Sequence, residues 1–332
     1  MSNGNNIPYH LRHNKAIERN LFVDLLFKIN KEINISEYTY VSFGGPYLED
    51  FKIIHNAIKI KKMISLEQEI NTHNRQQFNM PLSCISIGKN PETASEFINR
   101  YIFDGKSIVW LDYTEPAKIN EQLNEIEALT NKLKPYDIFK VTLNAHSETL
   151  GRDASKSYST DPREYRASRL EEILDQYCPY QIEADNVSSK KYPKVLLDAI
   201  KKASFRGVSS RKNIIVQPLS SFIYADGQTM LTATAIILEK NELANEKFFE
   251  DSRLNTWPFL ERHWNTSKKI NIPLISIKER MHIEAMLPNS SPEEIIKSMG
   301  FNISDSKRET IDQLNTFIEY QRAIPWFSKV QI

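Results

Sequence analysis

The sequence predicts an α/β fold built on a doubly wound, mainly parallel seven-stranded sheet that ends in an antiparallel hairpin. Three features carry the prediction. Stretches rich in β-branched and aromatic residues alternate with amphipathic helical stretches from residue 38 onward, the pattern of a parallel sheet with helices on its faces. Two of only nine glycines, Gly44 and Gly45, stand side by side where the first such stretch must turn into a helix. Near the end of the pattern, Asp226 and Gly227 join two long apolar stretches as a hairpin turn would.

Each element has its own warrant. Ile17, Leu21, Leu25 and Ile29 recur at a four-residue spacing with Phe22 and Leu26 beside them, which predicts an amphipathic helix within a helical cap over 1–37. "YTYVSF" is the first strand, and Phe51, Ile54 and Ile58 give "LEDFKIIHNAIK" helical spacing. "KKMISLE" is the second strand, ending at Glu67, and "NTHNRQQFN" the next helix. "SCISIG" is the third strand, ending at Gly88, and "PETASEFINRYI" is a helix with Pro91 early in it, where proline is tolerated. "SIVWLDY" is apolar up to Asp112, as expected of a strand covered on both faces. The helix "EPAKINEQLNEIEALTNKL" then leads to a fifth strand, "YDIFKVTLNA". A polar loop and two helices over about 145–211 read as an insertion before the hairpin, and 241–332 as a mostly helical extension in which Pro292 and Gly300 bracket one helix.

Composition narrows the partners. Lys and Arg number 43 against 42 Asp and Glu, so a net charge of +1 gives no global attraction to nucleic acid or membrane. No apolar run approaches the roughly 20 residues that cross a bilayer, and the start lacks the apolar core of a signal peptide. Cys84 and Cys178 are far apart in the sequence and form neither a disulfide framework nor a metal-ligand cluster. A cytoplasmic protein without a metal is expected.

The element order resembles the class I S-adenosylmethionine-dependent methyltransferases, with 38–240 as a Rossmann-like methyltransferase domain. "FGGP" matches the family's glycine-rich turn after the first strand, and Glu67 in "ISLEQE" matches its acid at the end of the second. The dinucleotide-binding pattern G-x-G-x-x-G is absent, and Glu49 and Asp50 in the first turn of the following helix would repel a pyrophosphate. The resemblance implies S-adenosyl-L-methionine as cofactor. It implies that Phe43, Gly44, Gly45 and Pro46 form the turn beside its methionine part, that Glu67 and Gln68 hold the ribose, and that Gly88 and Asp112 complete the crevice.

On that reading Asp112, Tyr113, His146 and Glu148, at or just past strand ends, are the candidate catalytic groups. Methyl transfer is an in-line displacement that asks a protein to align the nucleophile and accept a proton. Arg12, Lys15 and Arg19, with Tyr9, His10 and His13, form a basic cluster suited to an acceptor. The basic run 190–212, carrying Tyr192 and Phe205, suits phosphate contact and stacking. The acceptor itself is unspecified; an anionic molecule and a nucleic acid are the partners these cations would suit. Ser42 and Pro46 depart from the family's usual first motif, which motivates a catalytically silent cofactor-binding module as one alternative. A nucleic-acid-binding α/β protein is the other.

Overall fold

Order along the chain becomes order in space through the strands β1 (Thr39–Phe43), β2 (Lys62–Leu66), β3 (Ile85–Ile87), β4 (Ser107–Asp112), β5 (Ile138–Asn144), β6 (Ile214–Asp226), β7 (Gln228–Glu239) and β8 (Lys268–Ile270). The structure, a computed structural model, describes residues 12–155 and 161–325, so Tyr9 and His10 lie outside the described residues. The strands form one sheet in the order β3-β2-β1-β4-β5-β7-β6-β8. Strands β1 to β5 pair in parallel. β7 runs antiparallel to β5 and to β6, closing the sheet as the expected hairpin. The expected count of seven is corrected to eight, because β8 adds to β6 in parallel.

The chain runs outward from β1 to β3 and then returns to place β4 on the other side of β1. Such a reversal opens a crevice beyond the carboxyl ends of the two strands, because the connections on either side leave in opposite directions. Around this switch point the strands are buried on both faces; every residue of β5 is buried.

Each face has its own helical layer. Val41, Val109, Leu111, Val141 and Leu143 share a core with α5 (Ile119–Lys132), α6 (Arg163–Leu174) and α7 (Tyr192–Val208). The opposite residues Tyr40, Ile108, Trp110 and Ile138 pack with α1 (His13–Ile29) and α2 (Glu49–Ile58). Helix α3 (Ile70–Asn79) links β2 to β3, and α4 (Ala94–Arg100) links β3 to β4. The α4 start corrects the placement of Pro91, which lies outside the helix; Thr93 caps it and exchanges hydrogen bonds with Glu96. Helices α8 (Glu242–Asp251), α9 (Ile277–Met286), α10 (Pro292–Met299) and α11 (Lys307–Tyr320) complete the chain. Phe248, Phe249, Leu314, Phe317 and Tyr320 join the α1 side of the core. Among the described residues no helix is long and apolar enough to cross a membrane.

Within the stretch 145–211, α7 belongs to the core. Tyr192, Val195, Leu196, Ala199, Ile200 and Ala203 of α7 are fully buried, and Gly207 lets α7 meet α5 closely. A Cβ at Gly207 would clash with the Thr130 hydroxyl and the Glu127 carbonyl. Gly207→Ala is expected to cost about 1–3 kcal/mol, the usual penalty of overpacking, measured as a lowered denaturation midpoint.

Candidate active site

The turn after β1 is shaped by two glycines with different needs. A Cβ on Gly44 would lie 2.5 Å from Ser65 Oγ and 2.6 Å from Leu48 Cδ2. Ser65 and Leu48 thus leave no room for a side chain at position 44. Gly45 has φ +52° and nothing within 4 Å of its would-be Cβ, so it supplies a left-handed turn with an open side. Gln76 reaches the turn from α3: its Oε1 accepts from Ser65 Oγ at 2.9 Å, while its buried Nε2 has no partner. The Pro46 carbonyl accepts from Asn79 Nδ2 at 2.8 Å.

Glu67 follows β2 immediately. It is half-buried, and its Oε1 accepts the Glu69 backbone N–H at 2.8 Å. Burial pushes its carboxyl up, against the backbone donors of Glu69 and Gln68. Gln68 itself is exposed. Gly88, past β3, is exposed, and its carbonyl accepts from His73 Nε2 at 2.9 Å and Gln77 Nε2 at 3.2 Å.

At the end of β4, Asp112 belongs to a buried charge cluster that α1 brings to the sheet. Arg19 Nη2 donates to Asp112 Oδ2 at 3.1 Å, Nε to Asp50 Oδ1 at 3.3 Å, and Nη1 to Glu18 Oε2 at 2.9 Å and to the Tyr224 hydroxyl at 3.1 Å. Lys15 Nζ lies 3.8 Å from Asp112, and Lys140 of β5 pairs with Glu18. The cations Lys15, Arg19 and Lys140 therefore meet the carboxylates Glu18, Asp50 and Asp112 in equal number. The Arg19 guanidinium sits 4.5 Å from the Trp110 ring centroid and the Lys140 ammonium 4.2 Å from it, an arrangement that favours cations. Burial pushes the Asp112 carboxyl up, yet Lys15 and Arg19 outweigh that and hold it below the usual value.

This cluster changes the role of two acceptor candidates. Arg19 is only 2% exposed and Lys15 turns toward Asp112, so Arg19 in particular is not presented to an acceptor. Arg12, the residue before α1, is half-buried.

Tyr113 packs its ring 5.6 Å from that of Phe43, and its hydroxyl donates to Glu125. Burial and then Glu125 hold that hydroxyl far above its ordinary pKa, so Tyr113 is no base at neutral pH. Past β5, His146 Nε2 lies 3.4 Å from Glu148 Oε2, with 37% and 70% of the two side chains exposed. Asn144 binds Gln228 across the sheet and accepts the His146 backbone N–H at 3.0 Å, which anchors the loop.

The basic run largely bonds to groups of the same chain. Lys202 donates to the Cys178 carbonyl at 2.7 Å, Arg206 to Glu127 at 2.8 Å and Gln176 at 2.9 Å, and Arg211 to the Leu133 carbonyl at 2.6 Å. Lys191 pairs with Asp185 and Lys194 with Asp198. A phosphate backbone would have to compete with these bonds.

Sequence reasoning missed Glu18, Lys140 and Tyr224. Lys140 carried a usable signal: a lysine inside the apolar strand "IFKVTL" needs a buried counter-charge.

The fold and the crevice together define a Rossmann-like protein of the class I methyltransferase type, with its parallel strands and closing antiparallel strand. Residues 7–332 match the family described as "Putative O-methyltransferase", and the chain belongs to that family. No curated protein sequence matches the chain. Solved structures similar to it include the O-methyltransferase from Bacillus cereus in complex with SAH, at 7% identity and a TM-score of 0.35, over 66% of this chain and 80% of that one. The N-methyltransferase NodS from Bradyrhizobium japonicum WM9 aligns at 11% identity and a TM-score of 0.35, over 67% and 96%. The O-methyltransferase TomG from Streptomyces achromogenes, in complex with SAM, aligns at 9% and 0.33, over 67% and 87%. At such values the assignment rests on the family match and on the sheet order.

Proposed function

We propose that the chain binds S-adenosyl-L-methionine at the switch point between β1 and β4 and transfers its methyl group to an oxygen acceptor. The single observation that carries this reading is the convergence of the Gly45 turn, Glu67 and Asp112 on the carboxyl ends of β1, β2 and β4. The donor set suits the cofactor. Glu67 is a desolvated carboxylate with an oxygen left to accept ribose hydroxyls. The buried, partnerless Nε2 of Gln76 is a spare donor beside the turn. Asp112 stands ionised at the end of β4, its charge met by Lys15 and Arg19. When bound, the cofactor supplies a methyl group on an electrophilic sulfonium. The family's description supports an oxygen acceptor over a nitrogen one.

The protein's part is then alignment and proton removal. His146 is the group proposed to take the acceptor's proton, since an imidazole nitrogen can accept one and this side chain is open to a ligand. Glu148 orients the ring. Phe43 and Tyr113 form an aromatic wall at the ends of β1 and β4. Gly88 and Gln68 line the outer, exposed rim, and Arg12 is the cation proposed to meet an anionic acceptor. Both thiols are free, as a reducing cytoplasm would keep them.

The test is calorimetry with S-adenosylhomocysteine on the parent and on Glu67→Ala. A loss of about 1.5–3 kcal/mol is expected, the worth of hydrogen bonds to a charged group. Equal affinity would make Glu67 a solvated strand end.

A further inference from the structure

We propose that Arg19 is a positioning residue of the cofactor crevice: its guanidinium ties the first turn of α2 to the end of β4 and so fixes the Asp112 carboxylate at the crevice wall. The inference deepens the reading above and rests on it. Nothing in an amphipathic capping helix requires a fully buried arginine. Here one reaches Asp50, five residues beyond Gly45, through Nε and Asp112, the last residue of β4, through Nη2 of the same planar group. These two carboxylates stand on the two segments that flank the switch point. Trp110 stacks beneath the guanidinium at 4.5 Å, and Tyr224 holds the remaining side at 3.1 Å. The plane is thereby fixed, and with it the separation of the two walls. A lysine in the same place would keep the charge but lack the fork that spans both carboxylates.

Asp112 is faced from every packed element by a group that bears on its charge. Lys15 and Arg19 come from α1, Tyr40 from β1, Lys140 and Thr142 from β5 and Tyr224 from β6, while Glu18 and Asp50 face it through Arg19. Of these, Arg19 donates hydrogen bonds both to Asp112 and to Asp50 in the segment following the glycine turn, while Lys15 acts on the same two carboxylates through its charge.

Two readouts test the proposal on the full chain. The first is the carbon-13 shift of the Asp112 carboxyl as a function of pH; the second is the affinity for S-adenosylhomocysteine. Arg19→Gln should raise the Asp112 midpoint by about 1–3 units, the effect of losing an adjacent opposite charge, and weaken binding by about tenfold or more. Arg19→Lys should leave the midpoint near that of the parent yet still weaken binding several-fold, and that loss should vanish in an Asp112→Asn background. If Arg19→Gln does not fold, the lysine variant and its cycle decide alone. Folded variants that bind as the parent does, or a loss that persists without the Asp112 carboxylate, would overturn the proposal and leave Arg19 as a structural brace. A parent chain that binds no S-adenosylhomocysteine while its Asp112 midpoint still shifts would identify the cofactor reading as the part that fails, and the proposal with it.

Discussion

Arg19→Gln is expected to lower folding stability by about 3–5 kcal/mol at neutral pH, the cost of leaving buried carboxylates without their counter-charge. Glu18, Asp50 and Asp112 have 1%, 4% and 14% of their side chains exposed, so water cannot replace the guanidinium. A total stability of about 5–15 kcal/mol leaves the variant folded but visibly weakened in a urea titration. The pH dependence has a definite sign. The Asp112 carboxyl is depressed in the folded state, so its contribution is present above the ordinary carboxylate pKa of about 3.9. It is lost as pH falls through the lower folded value. The gap between parent and variant should therefore be widest near neutrality and narrow in acid, where protonation removes the uncompensated charge. A gap below about 1 kcal/mol at neutral pH would mean that the cluster is solvated and carries little of the fold.

His146→Ala is expected to reduce turnover by about 10²–10⁴-fold, the usual worth of a positioned general base, while leaving the affinity for S-adenosylhomocysteine unchanged. The side chain lies on the loop after β5, apart from Gly45 and Glu67 on the loops after β1 and β2, which is why binding and turnover should separate. Glu148→Gln should cost less, because it removes only the charge of the group 3.4 Å from the ring. The measurement is the release of S-adenosylhomocysteine across a panel of hydroxylated small molecules. Turnover equal to the parent would remove His146 from the mechanism. A parent that binds S-adenosylhomocysteine but turns over no acceptor would favour the silent cofactor-binding module.

What the sequence disclosed follows from locality. The parallel strands were readable because burial on both faces leaves continuous apolar runs such as "SIVWL". The hairpin was readable because Asp226 and Gly227 act within their own turn, where Gly227 takes φ +111°. The strand β8 was not: "KKI" has three residues, two of them lysines, and acquires strand character only by pairing with β6. The start of α4 had a legible local sign in Thr93 and Glu96, which competed with Pro91 three residues before the true start.

The candidate site divides the same way. Glu67 and Asp112 fall where strand ends put them. Arg19 read as a surface cation because its partners arrive from 31, 93 and 205 residues away. The need for glycine at position 44 was not legible in the same detail, because Ser65 and Gln76, which crowd a would-be side chain there together with Leu48, belong to other elements. In both cases side chains from other elements surround the residue, and local sequence does not disclose them.

The most direct test of the central claim is a crystal structure of the full chain with S-adenosylhomocysteine. The account predicts the nucleoside beyond the carboxyl ends of β1 and β4, with its ribose hydroxyls on the Glu67 carboxylate and its amino-acid part beside the Gly45 turn. A ligand bound elsewhere on the fold, with Glu67 and the Gly45 turn untouched, would contradict it.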